Sequence, residues 1–199
     1  MSCRKVSLLA IALAVMLLPA ARAEAQSRTH DGFFLQMDLG VGGMASKVDV
    51  GRNDVEASGG SGEFSIALGG AVARNLILAG QMWAVAAVDP TVKVDGHEIG
   101  DADATITLSG VGVNLTYYTQ SNVYFSVTPS LTTLTFESDG DEEKTDTGFG
   151  VRLAVGKEWW VSDSWGLGLN GQVAFSTNED QGETWNTAWV GIAFSATFN

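Results

Sequence analysis

From Phe33 to the end of the chain, apolar and polar residues change places with a period of two in segments of about ten residues. The first segment, "FFLQMDLGVGG", sets Phe33, Leu35, Met37, Leu39 and Val41 against Gln36, Asp38, Gly40 and Gly42. A period of two sends alternate side chains to opposite faces of an extended strand. The second, "EFSIALGGAV", opposes Phe64, Ile66, Leu68 and Val72 to Glu63, Ser65, Ala67 and Gly69. The third, "LILAGQMWAVA" from Leu76, is apolar on both sides, and its phase stays open. In the fourth, Ile106 and Leu108 lie on one parity and Val111, Val113, Leu115 and Tyr117 on the other. That change of phase at Gly110 predicts a β-bulge.

The fifth segment, "VYFSVTPSLTTLTF", contains Pro129, which cannot donate to a ladder and predicts a second local bulge. In the sixth, "GFGVRLAVGKEWW", Phe149, Val151, Leu153 and Val155 face away from Gly150, Arg152, Ala154 and Gly156. The seventh, "WGLGLNGQVAF", contains Gly166–Gly171, a match to the G-x-G-x-x-G phosphate-loop pattern. That motif needs a helix opening inside it, whereas this run alternates strictly and reads as strand. The eighth, "WVGIAFSATFN", closes the chain. The spacers after the second, fourth and sixth segments are short ("ARN", "TQSN", "VSDS"), and those after the other strands are long and acidic. Antiparallel strands joined in this rhythm put every long connection at one end.

Composition narrows the class. The segment "MSCRKVSLLAIALAVMLLPAARAEAQ" has Arg4 and Lys5 before a short apolar run, then small residues, the layout of a secretory signal peptide. Cleavage is expected after Ala25, with Ala23 as the alternative, leaving residues 1–25 as leader and 26–199 as one barrel domain. Cys3, the one cysteine, falls in the leader, so no disulfide or thiolate metal site is expected in the rest. The whole chain has 11 basic and 23 acidic residues, a net charge of −12. Such a balance argues against nucleic acid, whose phosphates need basic surface. Aromatic residues also gather toward the two ends of the segments: Phe33, Tyr117, Tyr118, Tyr124, Trp159, Trp160, Trp165 and Phe198 by the short turns, and Phe64, Trp83, Phe136, Phe149, Phe175 and Trp185 by the long ones. Two aromatic rings around an aliphatic middle is the girdle pattern of a membrane barrel.

Leader, hairpin rhythm, girdles and the alternating last strand together resemble the small OmpA- and OmpX-type outer-membrane β-barrels of Gram-negative bacteria. The resemblance implies an all-β fold, an eight-stranded antiparallel up-and-down transmembrane β-barrel in the cell outer membrane. It also implies outer-membrane lipid and lipopolysaccharide as surroundings, and a monomeric barrel handled by the barrel-assembly machinery during biogenesis. In that family the last strand usually ends in an aromatic residue, whereas here Phe198 is penultimate and Asn199 follows.

Candidate chemistry is sparse. Some barrels of this size are lipid A enzymes with a His/Ser site, but His30 precedes the first strand and His97 lies in the second long connection. Neither is set beside a serine and a carboxylate on a strand, so both read as solvated histidines and no enzyme is expected. The run "SDGDEEKTDT", with Asp139, Asp141, Glu142, Glu143 and Asp146, lacks EF-hand spacing and reads as a solvated loop. No cofactor and no metal site is expected. "NLT" at 114–116 matches a glycosylation acceptor but lies within a strand. Inside the barrel, Arg152 is the one cation on an inward parity, and Asp38 and Glu63 share that face. A charge enclosed in a narrow lumen must be paired, so the expected structural site is an ion pair of Arg152 with Asp38 or Glu63, backed by Gln36, Asn170 and Gln172. The expected function is a structural or surface-interaction protein with long acidic loops outside and a mostly plugged lumen. The alternatives are a small diffusion channel and a soluble exported ligand-binding barrel of lipocalin type, whose apolar face would point inward.

Overall fold

The computed structural model describes residues 30–51, 53–138 and 140–199. The expected leader and Asp139 lie outside them. Among the described residues eleven strands are formed: β1 (Phe33–Val50), β2 (Asn53–Ala73), β3 (Leu76–Val88), β4 (Thr91–Val94), β5 (His97–Asp101), β6 (Thr105–Tyr118), β7 (Val123–Ser138), β8 (Asp141–Lys144), β9 (Gly148–Trp160), β10 (Trp165–Asp180) and β11 (Glu183–Phe198). Eight of them make the wall, in the order β1-β11-β10-β9-β7-β6-β3-β2, every pair antiparallel. Pairing of β1 with both β2 and β11 closes the circle and removes the free edges. The hairpin β4–β5 sits beside β2, and β8 beside β7.

The outward face is apolar through a continuous belt. Leu39 is 69% exposed, Ile192 68%, Val41 64% and Leu153 42%, values that water would penalise and hydrocarbon would not. The inward face is polar over the same height: Gln36, Asp38, Glu63, Gln81, Asn114, Arg152, Asn170 and Gln172 are each at most 4% exposed. This excludes the soluble ligand-binding barrel, whose apolar residues would be inside.

The strands outrun the belt. About 9–11 residues suffice for a tilted strand to cross a bilayer, yet β2 has 21 and β1 has 18. The long connections are therefore mostly strand. β1 and β2 stay paired up to Val50 opposite Asn53, and β10 and β11 up to Asp180 opposite Glu183, around a turn in which Gln181 and Gly182 have φ of 51° and 89°. Asp95 and Gly96 make the same two-residue left-handed turn between β4 and β5.

Above the belt the pattern of faces inverts, which replaces the bulge expected at Gly110. The β3–β6 register runs unbroken from Leu76 opposite Tyr117 to Val88 opposite Thr105. What changes is the solvent. Below Gly110 the outward positions Val111, Val113 and Leu115 are exposed to lipid. Above it Ile106 and Leu108 point inward and are 4% and 0% exposed, while Thr105, Thr107 and Ser109 take the outward positions. Met44, Trp83, Val85, Ala87, Leu134, Ala174 and Trp189 join them in one interior apolar cluster. A barrel in lipid is apolar outside, and the same barrel in water is apolar inside.

Gly110 has a packing reason instead: a Cβ there would come 2.5 Å from Cε2 of Trp83, whose indole lies over this point of β6. Gly110→Ala is expected to cost about 1–3 kcal/mol through overpacking, whereas Gly171→Ala, where nothing lies within 4 Å, should be near neutral. Urea titrations in lipid vesicles would compare the two. The bulge expected at Pro129 is also absent. β6 and β7 pair from Thr105–Glu137 to Gly112–Ser130 and resume at Leu115–Val127 in the same register. The missing donor is thus absorbed as a local gap in the ladder rather than an extra residue.

The aromatic girdles are thinner than the sequence implies. Phe33, Tyr117 and Trp159 face outward near the short turns, joined by Phe125, and Phe64, Phe149 and Phe175 do so toward the other end. Tyr118, Tyr124 and Trp83 point inward, and Phe136 and Trp185 pack against the interior cluster.

Candidate functional site: a polar network in the lumen

β9 projects Arg152 into the middle of the barrel, where its side chain is 3% exposed. It does not reach a rim or water. Nη2 donates to Glu63 Oε1 at 2.7 Å, to Asp38 Oδ2 at 3.3 Å, to Ser65 Oγ at 3.2 Å and to Gln172 Oε1 at 2.6 Å. Nε donates to the same Gln172 oxygen at 3.1 Å. Asp38 comes from β1, Glu63 and Ser65 from β2, Gln172 from β10, so one guanidinium ties four strands. The side chain of Asp38 also accepts from Ser65 Oγ at 2.9 Å and Asn170 Nδ2 at 3.2 Å.

The network continues through residues that sequence reasoning passed over. Gln81 Nε2 approaches Ser65 Oγ at 3.4 Å, and Gln81 Oε1 accepts from Thr128 Oγ1 at 2.6 Å and Asn114 Nδ2 at 3.3 Å. Asn114, the residue of the glycosylation match, is fully buried in this layer and also receives Thr116 Oγ1 at 2.7 Å. A polar residue in an otherwise apolar stretch was the available signal: Gln81 inward would have settled the phase of β3. Gln36 stands apart from Arg152, and its Nε2 lies 3.4 Å from the Tyr124 hydroxyl.

Two further layers bracket this one. Toward the long hairpins, the indole of Trp83 lies over β6 and donates to Ser130 Oγ on β7 at 3.0 Å, and that of Trp189 lies over β1 and donates to Ser61 Oγ on β2 at 2.9 Å. Toward the short turns lie Phe34, Ile77, Tyr118 and Tyr124, each at most 1% exposed. The Tyr118 hydroxyl donates to Glu158 Oε1 at 2.9 Å, which also accepts from Thr197 Oγ1 at 2.7 Å. Here the Gly166–Gly171 run finds its use. Gly166 and Gly168 are inward, and a Cβ on Gly168 would come 2.9 Å from Glu158 Cγ and 2.6 Å from Ser195 Oγ. Those glycines make room for a carboxylate. They cradle no phosphate.

His30 and His97 take different places. His97 is exposed on β5. His30 is not the solvated residue expected: it is 2% exposed, and its ring stacks on Tyr118 with centroids 3.5 Å apart and planes 14° from parallel. Burial lowers its pKa below 6.5, opposed by the nearby amides of Asn199 and Asn122 and by Asp31. Those amides lie close, yet neither ring nitrogen has a partner in hydrogen-bond geometry.

The acidic residues ring the other end. Asp49, Asp54, Asp95, Glu98, Asp101, Asp141, Glu142, Glu143, Asp146 and Glu179 are exposed, and among the described residues no group of three or more metal-ligating side chains forms a metal site. Lys47–Glu56 at 2.7 Å and Lys144–Glu142 at 2.5 Å are surface pairs, which solvent and salt screen. The acidic run is not wholly solvated either. Thr145 is 5% exposed, its Oγ1 accepts from Leu134 N at 3.1 Å, and its own N–H donates to Leu134 O at 2.9 Å.

No family model matches the sequence, and no curated protein matches it. Solved structures do. Neisserial surface protein A superposes with a TM-score of 0.51 at 15% identity, over 84% of this chain and 96% of that one. The outer-membrane protein OprG from Pseudomonas aeruginosa gives 0.49 at 14% identity, over 87% and 100%. The outer-membrane protease OmpT from Escherichia coli gives 0.42 at 8%, over 88% and 99%. At 15% identity the likeness to the Neisserial protein is one of fold, and it agrees with the closed wall and the lipid-facing belt. In fold, the chain is an eight-stranded antiparallel transmembrane β-barrel of the small outer-membrane type.

Proposed function

We propose that this outer-membrane barrel is a plugged, non-catalytic surface protein: a membrane anchor that holds four acidic hairpin ends rigidly outside the bilayer. One observation carries the reading. Buried side chains converge inside the wall at three successive heights, in the Trp83–Trp189 cluster, the Arg152 network and the Tyr118–Tyr124 cluster. At the middle level Arg152 on β9 joins Glu63 on the opposite strand β2, and below it Gln36 on β1 approaches Tyr124 on the opposite strand β7, which supports a lumen without a continuous file of water. The hairpins owe their stiffness to strand pairing and to the interior cluster beneath them, unlike the mobile loops that usually crown such barrels. Lipid and lipopolysaccharide surround the belt, and the closed wall leaves no strand edge that would require a second copy. With its histidines far apart in the fold and its buried carboxylates tied to arginine or hydroxyls, the barrel is read as non-catalytic.

Planar-bilayer recording tests the plug. The wild-type protein is expected to give no steady conductance. A large, stable open level would favour the diffusion-channel reading and remove this one.

A further inference from the structure

We propose that residues 30–32, immediately ahead of β1, form a releasable stopper in the short-turn mouth of the barrel, with His30 as its plug. The observation is one of reach. β1 pairs with β2 and β11, yet His30, three residues before it, touches Tyr118 of β6 and Trp160 of β9. In the order of the wall those strands flank β7, the strand opposite β1. The chain therefore crosses the whole mouth before it enters the sheet.

The crossing is built into the backbone. Gly32 has φ of 97°, a left-handed value that a side chain would oppose, and it turns the chain back under the barrel. Its carbonyl accepts the Ala71 N–H at 2.8 Å, which pins the turn to β2. Beyond that turn His30 lies flat on Tyr118, with the Trp160 ring 5.1 Å away and tilted by 34°. The stacked Tyr118 carries the bond to Glu158, so the plug sits directly on the lowest polar group of the lumen.

The same site explains why the stopper releases. Nδ1 and Nε2 of His30 and both amide atoms of Asn199 are buried there without hydrogen-bond partners. Buried polar groups are nearly always paired, and unpaired ones oppose the contact that buries them. Ring stacking holds the plug in, and four unsatisfied polar atoms push it out. Moving His30 into water satisfies its two nitrogens and opens the way to the amide of Asn199. No other part of the barrel seal combines a short, single-residue anchor with that many unpaired atoms among the described residues.

Thiol labelling reads the stopper. Asn199 lies beside His30 in the mouth, with its amide atoms buried there, so Asn199→Cys reports access from the short-turn side. Membrane fragments would be exposed to a small water-soluble maleimide, with the unsubstituted protein as control for Cys3. The reporter is expected to label slowly in an otherwise wild-type barrel. His30→Ala should raise the rate about tenfold, the order set by one aromatic stack, and His30→Phe should keep it low. Trp160→Leu, which removes the second ring of the seat, should raise the rate in the same direction. Heat-modifiable mobility on gels shows whether each variant retains a folded barrel, and Trp160→Leu serves if His30→Ala does not. Equal labelling in all variants, fast or absent, would overturn the proposal.

Discussion

Arg152→Ala should destabilise the folded barrel by about 3–5 kcal/mol, the range for removing one partner of a buried ion pair. The reasoning rests on what is left behind. Without the guanidinium, Asp38 and Glu63 would stand side by side on the adjoining strands β1 and β2 with only Ser65, Asn170 and neighbouring amides as donors. Gln172 would lose both of the bonds that its Oε1 accepts from Arg152. Arg152→Lys should recover part of the loss, because a point charge cannot reproduce the fork that now serves four acceptors. The triple variant Asp38→Asn, Glu63→Gln, Arg152→Gln should be milder than Arg152→Ala, since it removes all three charges together. Urea unfolding in lipid vesicles measures each. An Arg152→Ala barrel as stable as the wild type would mean that the lumen is wetter than its geometry says, and the plug would lose its central layer.

How much of this was legible in the chain depends on the kind of information involved. Parity alone placed Arg152, Asp38 and Glu63 on inward faces, because a strand gives every second residue to the lumen. Their meeting then needed only a narrow barrel. The membrane-embedded parts of β1, β2, β9, β10 and β11 were legible for the same reason. Parity failed where the solvent outside the wall changes. At Gly110 the apolar residues switch from one parity to the other while the strand runs on, and a change of medium looks in sequence like a bulge. It failed again in β3, where Ala79, Trp83, Val85 and Ala87 are apolar and inward and only Gln81 betrays the face. The hairpins were read as loops because glycine, serine and aspartate disfavour strands. The Asp95–Gly96 pair was the usable signal for a turn between two strands. His30 could not have been found by pattern at all. Its burial depends on a left-handed Gly32 and on ring partners more than 80 residues away.

The inversion of faces leads to the second large effect, a test at two heights on one face. Leu153 lies on β9 midway between Phe149 and Trp159, outward and 42% exposed. Leu153→Arg should cost about 2–4 kcal/mol, the penalty for a cation at the bilayer midplane. Thr107 is also outward, on β6, but it stands above the belt, two positions beyond Ser109. Thr107→Arg should cost about 0–1 kcal/mol, because a barrel wall there meets water or the interface. Ala154→Ser, on the lumen side beside Leu153, should be mild, since a hydroxyl in a polar interior finds partners. Folding titrations into vesicles would rank the three. Equal and large penalties at Leu153 and Thr107 would mean that the bilayer reaches the upper barrel. The interior cluster of Leu108, Leu134 and Trp189 would then need a cause other than water outside the wall. A small penalty at Leu153 would reverse the faces altogether. The expected order, Leu153→Arg far above Thr107→Arg and Ala154→Ser, follows from one physical rule. A side chain matches whatever lies against its face of the wall, and that medium changes along a single strand.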